Sequence, residues 1–246
     1  PVFEILTGYQ MEYQDRDYYS GKAPDWEAKH YFGTDQNGRD ILVRTMFGMR
    51  ISMIVALVAA SVALVIGIGY GAISGLAGGL VDTIMMRVLD LLYSFPLTLV
   101  AVIALAYFGR NIIIVFVIIG LVEWQLMARV IRGQVLSLRN SEFIEAARAT
   151  GVRPAGMLIR HIVPNVTGVA IVYMTLIIPE VILVESFLGY LGLGVQEPNT
   201  SLGVLISEGA NTIEKKPWLT YGPGIFLVLL LMALNFVGDG LRDAFD

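Results

Sequence analysis

Apolar and polar stretches alternate in long blocks along most of the chain. Mostly apolar runs lie at about 51–76, 88–108, 111–131, 165–188 and 222–240. Each is about twenty residues or more, enough to cross a bilayer as a helix, so the pattern predicts five visible spans. In the first run Gly67, Gly71, Gly75 and Gly79 recur every fourth residue. That small-xxx-small ladder lets a neighbouring helix approach closely. Phe95-Pro96 predicts a kink inside the second run, and Gly109-Arg110-Asn111 a tight turn after it. The third run holds Glu123, and the fourth holds Pro179, Glu180 and Glu185. Carboxylates inside a membrane are costly and usually face a bundle interior or a wet cavity. Glu123, Glu180 and Glu185 are therefore candidates for a translocation path. The plainer alternative is a group at the interface, or one hydrogen-bonded to a neighbouring helix.

Three polar stretches interrupt the runs. Residues 1–50 read as an extramembranous lead-in, irregular or partly helical, with a turn at Asn37-Gly38. Residues 190–221 form a second loop, whose Ser201–Ile213 part predicts a short helix at the membrane surface. Residues 132–163 form the third. The stretch from Arg139 to Asn165, which overlaps it, carries Arg139, Arg148, Arg153, Arg160 and His161 against only Glu142 and Glu145. Two short helices are expected there. The first covers 141–150, with Ser141 as N-cap, Glu142 in the first turn and Gly151 as the stop. The second opens at Pro154, behind Arg153 as a poor cap, and Val163-Pro164 is expected to break the register. Ala146, Ala147 and Ala149 keep the first helix thin, and Phe143, Ala147 and Thr150 share a face. Such a hook suits a groove on another protein. It could equally be a loop whose arginines only set orientation.

Composition sharpens this picture. The 246 residues are 56% hydrophobic and 15% charged, with a mean hydropathy of +0.68, beyond the norm for a soluble domain. The organisation expected is a lead-in at 1–50 and a transmembrane domain at 51–246. The basic 129–161 segment should face the cytoplasm, which places 1–50 and 190–221 outside and the C-terminus inside. An outside N-terminus without a signal peptide calls for a sixth span upstream of this sequence. The absence of cysteine excludes disulfides and thiolate metal sites. His30 and His161 fall on opposite membrane sides, so no metal site is expected. No basic patch with interleaved aromatics points to nucleic acid. No G-x-x-x-x-G-K-[ST] pattern occurs, so the chain is not expected to hydrolyse ATP. No catalytic Ser/His/Asp set marks it as an enzyme.

Glu145-Ala146-Ala147, then Gly151, then His161-Ile162-Val163-Pro164 resembles the E-A-A loop of bacterial ABC importer permeases. His161 stands where isoleucine is usual and Val163 where leucine is usual, and Asn165 follows the proline. An ending of the His-x-Leu-Pro-Asn type is typical of the dipeptide and oligopeptide branch. Phe32-Gly33-Thr34-Asp35 with Gly38-Arg39-Asp40, the stretch Phe187–Gly194, and Gly238-Asp239-Gly240-Leu241-Arg242-Asp243 resemble the same branch. The likeness runs from Phe32 to Asp243.

The resemblance implies an all-α polytopic membrane protein of the type I ABC importer permease (MetI-like) fold, with six spans in the family. It implies a permease subunit of an ATP-driven oligopeptide importer, multi-pass in the bacterial cytoplasmic (inner) membrane. The segments Glu142–Ala147, Ile159–Asn165, Gln196-Glu197-Pro198 and Gly238–Asp243 lean toward the oligopeptide C-type subunit over dipeptide or nickel relatives. Glu142, Glu145, Ala146, Ala147, Gly151, Arg153, Arg160, His161 and Pro164 would contact an ATPase. The implied partners are a homologous second permease, two cytoplasmic ATPase subunits that bind ATP and Mg, and an extracytoplasmic peptide-binding protein. This chain itself would hold no cofactor. A secondary transporter, working without an ATPase, is the competing class. It would need ion-coupling sites and usually a repeated half, and no internal repeat is visible.

Overall fold

The computed structural model describes residues 4, 7–108, 112–197 and 199–245. Among these residues the chain is helical, and its only strand-like pairings are isolated bridges between Asp25 and His30 and between Thr34 and Asp40. The expected turn at 109–111 and Pro198 lie outside the described residues.

Helix α1 (Ile41–Ala77) has 37 residues. It starts ten residues before the expected span because Asp40 caps it, accepting from the Val43 N–H at 2.9 Å. Helix α2 (Gly79–Tyr93) and helix α3 (Leu97–Phe108) divide the expected second span. The kink expected at Phe95-Pro96 is a full break. Proline has no N–H to continue the ladder and disfavours helical geometry at the residue before it. The Ser94 hydroxyl donates to the Leu91 carbonyl at 2.6 Å and closes off the preceding turn.

Helix α4 (Ile112–Leu138) runs 27 residues, carrying the third expected span on into the basic stretch. Helix α5 (Glu142–Ala149) follows. Then α6 (Pro154–Met157), a π-turn (Leu158–Ile162) and α7 (Val163–Tyr190) form one unbroken helical rod. The register shifts just before Val163-Pro164, as expected, but the helix does not end there. The Pro164 ring would collide with the carbonyl four residues back. The chain instead widens by one residue, and the Val163 N–H reaches the Leu158 carbonyl. The Asn165 side-chain amide donates to the His161 carbonyl at 2.6 Å, satisfying an acceptor the wide turn leaves over. Helices α8 (Leu202–Ala210) and α9 (Trp218–Phe245) complete the order.

Three helices among the described residues are long and apolar enough to cross a membrane: Ile41–Ala77, Pro154–Tyr190 and Trp218–Ala244. They match the first, fourth and fifth expected spans.

The chain forms two compact units. The first comprises Pro1–Ala56, Ala104–Val115 and Ile182–Ala233. Here the lead-in is folded around a buried His30, whose Nδ1 lies 2.8 Å from Asp40 Oδ2 and whose ring stacks on Tyr9. Asp35, from the Phe32–Asp35 motif, accepts from Arg39 and from the buried Arg44, each at 2.7 Å. Arg44 also donates to Glu208 on α8 at 2.8 Å, and Arg39 to Glu197 at 3.0 Å. The lead-in, the start of α1 and the second polar loop are thus tied by charge-assisted bonds. Ser201 caps α8. That helix buries Leu202, Gly203, Leu205 and Gly209.

The second unit comprises Leu57–Ile103, Phe116–Val181 and Leu234–Asp246. Ala63, Leu89, Trp124 and Ala128 form its apolar centre, with Ile66, Tyr70 and Met86 packed on it. The glycine ladder works within this unit. A Cβ at Gly67 would overlap Met127, and one at Gly71 would overlap the Ala128 carbonyl. At Gly75 a Cβ would come 2.8 Å from Val135 Cβ. All three open α1 to α4. Gly79 is a correction to the ladder: it lies beyond the helix end, has φ +54°, and meets nothing within 4 Å. From the other side Gly120 on α4 admits Val62 and Ala59, a close approach that the spacing rule did not single out.

Candidate coupling loop and intramembrane carboxylates

The hook is built by local backbone chemistry. Ser141 sits at the N-cap of α5, but its side chain does not cap. Its hydroxyl turns back and donates to the Leu138 carbonyl at 2.6 Å, stiffening the bend between α4 and α5. At the other end Gly151 has φ +79°, a left-handed conformation costly for any residue with a Cβ. Its N–H reaches the Arg148 carbonyl at 2.9 Å, and the Val152 N–H reaches Ala147 at 3.1 Å. This is the paired bonding of a Schellman stop, as the sequence position of the glycine predicts.

The face shared by Phe143, Ala147 and Thr150 is not the one α5 buries. Ile144 and Ala147 point inward, whereas Phe143 is 42% exposed and Thr150 is exposed. The outer face therefore carries Glu142, Glu145, Ala146 and Ala149, two carboxylates and two small residues. Arg153 and Arg160 are also exposed, and His161 is half-buried. Pro164 is exposed just beyond the π-turn. A cavity of about 520 Å³ opens between the end of α1 (Ile73, Leu76, Ala77) and the hook residues Arg148, Val152 and Met157.

The intramembrane carboxylates do not form one site. Glu185 belongs to the first unit and is wholly buried. It accepts from Ser52 on α1 at 2.8 Å, while its second oxygen has no hydrogen-bond partner among the described residues. Glu123 on α4 is half-buried and Glu180 on α7 is exposed. These two lie within electrostatic range of each other in the second unit.

Sequence reasoning passed over one polar cluster beside the hook. Asp82, in the first turn of α2, accepts from Arg132 Nε at 2.5 Å and Nη2 at 2.6 Å, and from the Ser74 hydroxyl. The Arg132 guanidinium holds the Asp82 carboxyl below the usual carboxylate range. The available signal was an aspartate and an arginine at facing ends of two apolar runs, and neither belongs to a short motif. In the lead-in, burial pushes the Asp40 carboxyl up. The hydrogen bond to Asp25 pushes the Tyr18 phenol up to about 12.

Long apolar helices, drawn together by glycine contacts and joined by a basic two-helix hook, define a multi-pass helical membrane protein. Residues 67–246 match the family described as binding-protein-dependent transport system inner membrane component. The chain belongs to that family of multi-pass inner-membrane proteins. It is 54% identical to the oligopeptide transport system permease protein OppC of Escherichia coli (strain K12), covering all of this chain and 82% of that one. It is 48% identical to OppC of Haemophilus influenzae, covering 97% and 77%. Identity to the dipeptide transport system permease protein DppC of Bacillus subtilis (strain 168) is 40%, covering 89% and 69%. Among solved structures, a chain of the MetNI methionine ABC transporter in inward-facing conformations superposes with a TM-score of 0.65 at 18% identity. It covers 84% of this chain and 96% of its own. That likeness establishes the MetI-like fold.

Proposed function

We propose that this chain is a permease subunit of an ATP-driven importer of oligopeptides. The observation that carries the reading is the hook. Its inner face is anchored by Ile144 and Ala147, while its outer face presents Glu142, Glu145, Ala146 and Ala149 for docking. The 54% identity to a permease named for oligopeptide transport, over the whole chain, supports the substrate class. In this reading a second, homologous permease completes the translocation path. Two cytoplasmic ATPase subunits bind ATP and Mg, and one of them grips the hook. A peptide-loaded binding protein docks outside on the folded lead-in and the 195–221 loop. Closure of the ATPases moves the hook and biases the bundle between two access states.

Each hook residue has a part. Gly151 stops α5 at a fixed length, so the outer face keeps its angle. Arg153, Arg160 and His161 supply positive charge at the cytoplasmic level. Pro164, with the π-turn, sets the orientation of α6 against α7. Gly67, Gly71 and Gly75 hold α4, which leads into the hook, against α1. Glu123 and Glu180 are the carboxylates we place nearest the path, whereas the burial of Glu185 against Ser52 favours a structural part for it.

The assembly purified through this chain, in lipid, should bring down ATPase subunits. Their vanadate-sensitive hydrolysis should rise when peptide-loaded binding protein is added. A panel of dipeptides and longer peptides then sets the substrate length against the dipeptide alternative that the 40% relative raises. Solute movement with no ATPase attached would sink this reading and favour a secondary transporter. Gly151→Pro or Glu145→Arg should lower peptide uptake about tenfold or more while insertion into the membrane stays normal. That tenfold corresponds to roughly 1.4 kcal/mol of lost coupling. Normal uptake in both variants would remove the hook from the mechanism.

A further inference from the structure

Helix α2 is held differently from its neighbours. It is bounded on one side by Gly78 and Gly79, both at positive φ, and on the other by the break at Ser94–Pro96. Both ends are therefore places where the chain can change direction without unwinding a helix. Polar contacts fix the segment between them. Ser74 and Arg132 meet on Asp82, and the Tyr70 hydroxyl donates to the Met85 carbonyl at 2.7 Å. At the far end Arg129 reaches Asp90 at 2.9 Å, but that pair is largely exposed, and such pairs hold little. Asp82, by contrast, is 8% exposed and takes three donors.

Arg132 lies on α4, six residues before that helix ends at Leu138. The bend into α5 is hydrogen-bonded, with Arg139 N–H to Val135 at 2.9 Å and Ser141 N–H to Leu138 at 2.9 Å. Arg139 also lies against Gly78, where a Cβ would come 2.6 Å from its Nη1. Hydrogen bonds join the hook to the foot of α4, and the Asp82–Arg132 pair with the close approach of Arg139 to Gly78 joins the foot of α4 to the N-terminal end of α2. A bidentate guanidinium–carboxylate pair fixes angle as well as distance.

We propose that Asp82 and Arg132 are positioning residues for energy coupling: their ion pair locks α2 to α4, so that displacement of the hook is carried into α2, which pivots at Gly78-Gly79 and at Ser94–Pro96. The proposal rests on the importer reading and names which helix the hook drives. Loss of the pair lets α4 move while α2 lags.

The test uses the whole transporter in lipid, with its ATPase subunits and peptide-loaded binding protein, and reads peptide delivered per ATP hydrolysed. Asp82→Asn should lower that ratio about fivefold or more with ATPase subunits still bound, Asp82→Glu should recover most of it, and Arg129→Gln should stay within twofold of wild type. If Asp82→Asn does not assemble, Arg132→Lys keeps the charge, loses the fork, and should lower the ratio in its place. A ratio within twofold of wild type in the variant that assembles overturns the proposal. So does an equal loss in Arg129→Gln.

A second readout does not depend on transport. The chain has no cysteine, so spin labels at introduced cysteines replacing Thr83 on α2 and Ser137 on α4, both exposed, report one distance. That distance should stay narrow with and without ATP and vanadate in wild type, and broaden in Asp82→Asn. A broad wild-type distribution refutes the lock. A narrow one, in an assembly whose hydrolysis ignores loaded binding protein, refutes the importer reading and leaves the lock standing.

Discussion

The α1–α4 contact turns on single Cα hydrogens. Gly71 faces the Ala128 carbonyl with no space for a methyl group, whereas Gly69, two residues earlier on the same helix, meets nothing within 4 Å. Gly71→Val should therefore destabilise the protein by about 1–3 kcal/mol through forced overpacking. Gly69→Ala should leave it unchanged or raise it by roughly 0.5–1 kcal/mol. Thermal unfolding in detergent reads both. The ladder spacing made Gly67, Gly71 and Gly75 legible. It also drew in Gly79, because a four-residue count does not register that Gly78, at φ +63°, has already ended the helix. Asp82 gives a pH signature. Its folded pKa is depressed, chiefly by the bond from Arg132. Its stabilisation is thus complete above the ordinary aspartate value of about 4 and is lost as pH falls through the lower folded value. The gap in unfolding midpoint between wild type and Asp82→Asn should be constant from pH 7 to about 5 and close under stronger acid. A gap that does not vary with pH would mean that Asp82 contributes shape rather than charge.

At the scale of elements, two prolines act in opposite ways. Pro96 breaks a span into α2 and α3. Pro164 is absorbed by a π-turn, so that α6 and α7 stay one rod. The difference lies in the neighbours. Near Pro164, Asn165 repairs a freed carbonyl from within the helix. Near Pro96, Ser94 spends its hydroxyl on the turn before it. Removing the ring at 164 should let an ordinary turn re-form and rotate α6 against α7 by about 100°, one residue's worth of helix. Pro164→Ala should slow amide exchange across Leu158–Asn165 and at the same time reduce the ATPase recovered with the chain. Unchanged recovery would show that the docking face tolerates the rotation. The inward face of α5 depends on its surroundings in the same way. Period alone allowed Phe143 with Ala147, and only the surroundings choose Ile144 with Ala147.

At the scale of the molecule, charge segregation sets orientation. The arginines of 129–161 are expected in the cytoplasm by the positive-inside rule, and the folded lead-in and α8 outside. A reporter fused after Asp246 should accordingly read as cytoplasmic, and one inserted at Asn211, an exposed position beyond α8, as extracytoplasmic. The reverse pattern would invert every docking assignment above. The lead-in illustrates what charge count cannot convey. Its acidic residues look like a solvated face, yet Asp35 is buried and shared between Arg39 and Arg44. Arg44, 1% exposed, is tolerable there only because carboxylates neutralise it.

The sequence by itself determined the membrane class, the runs that become helices α1, α7 and α9, and the stop at Gly151. These follow from hydropathy summed over about twenty residues, or from a backbone conformation that glycine adopts most readily. Tertiary structure alone decided which carboxylates are paired, which face of α5 is buried, and that Asp82 meets Arg132 across 50 residues of chain. Each of those depends on what another helix places opposite, and a one-dimensional pattern carries the period of a helix but not the identity of its neighbour.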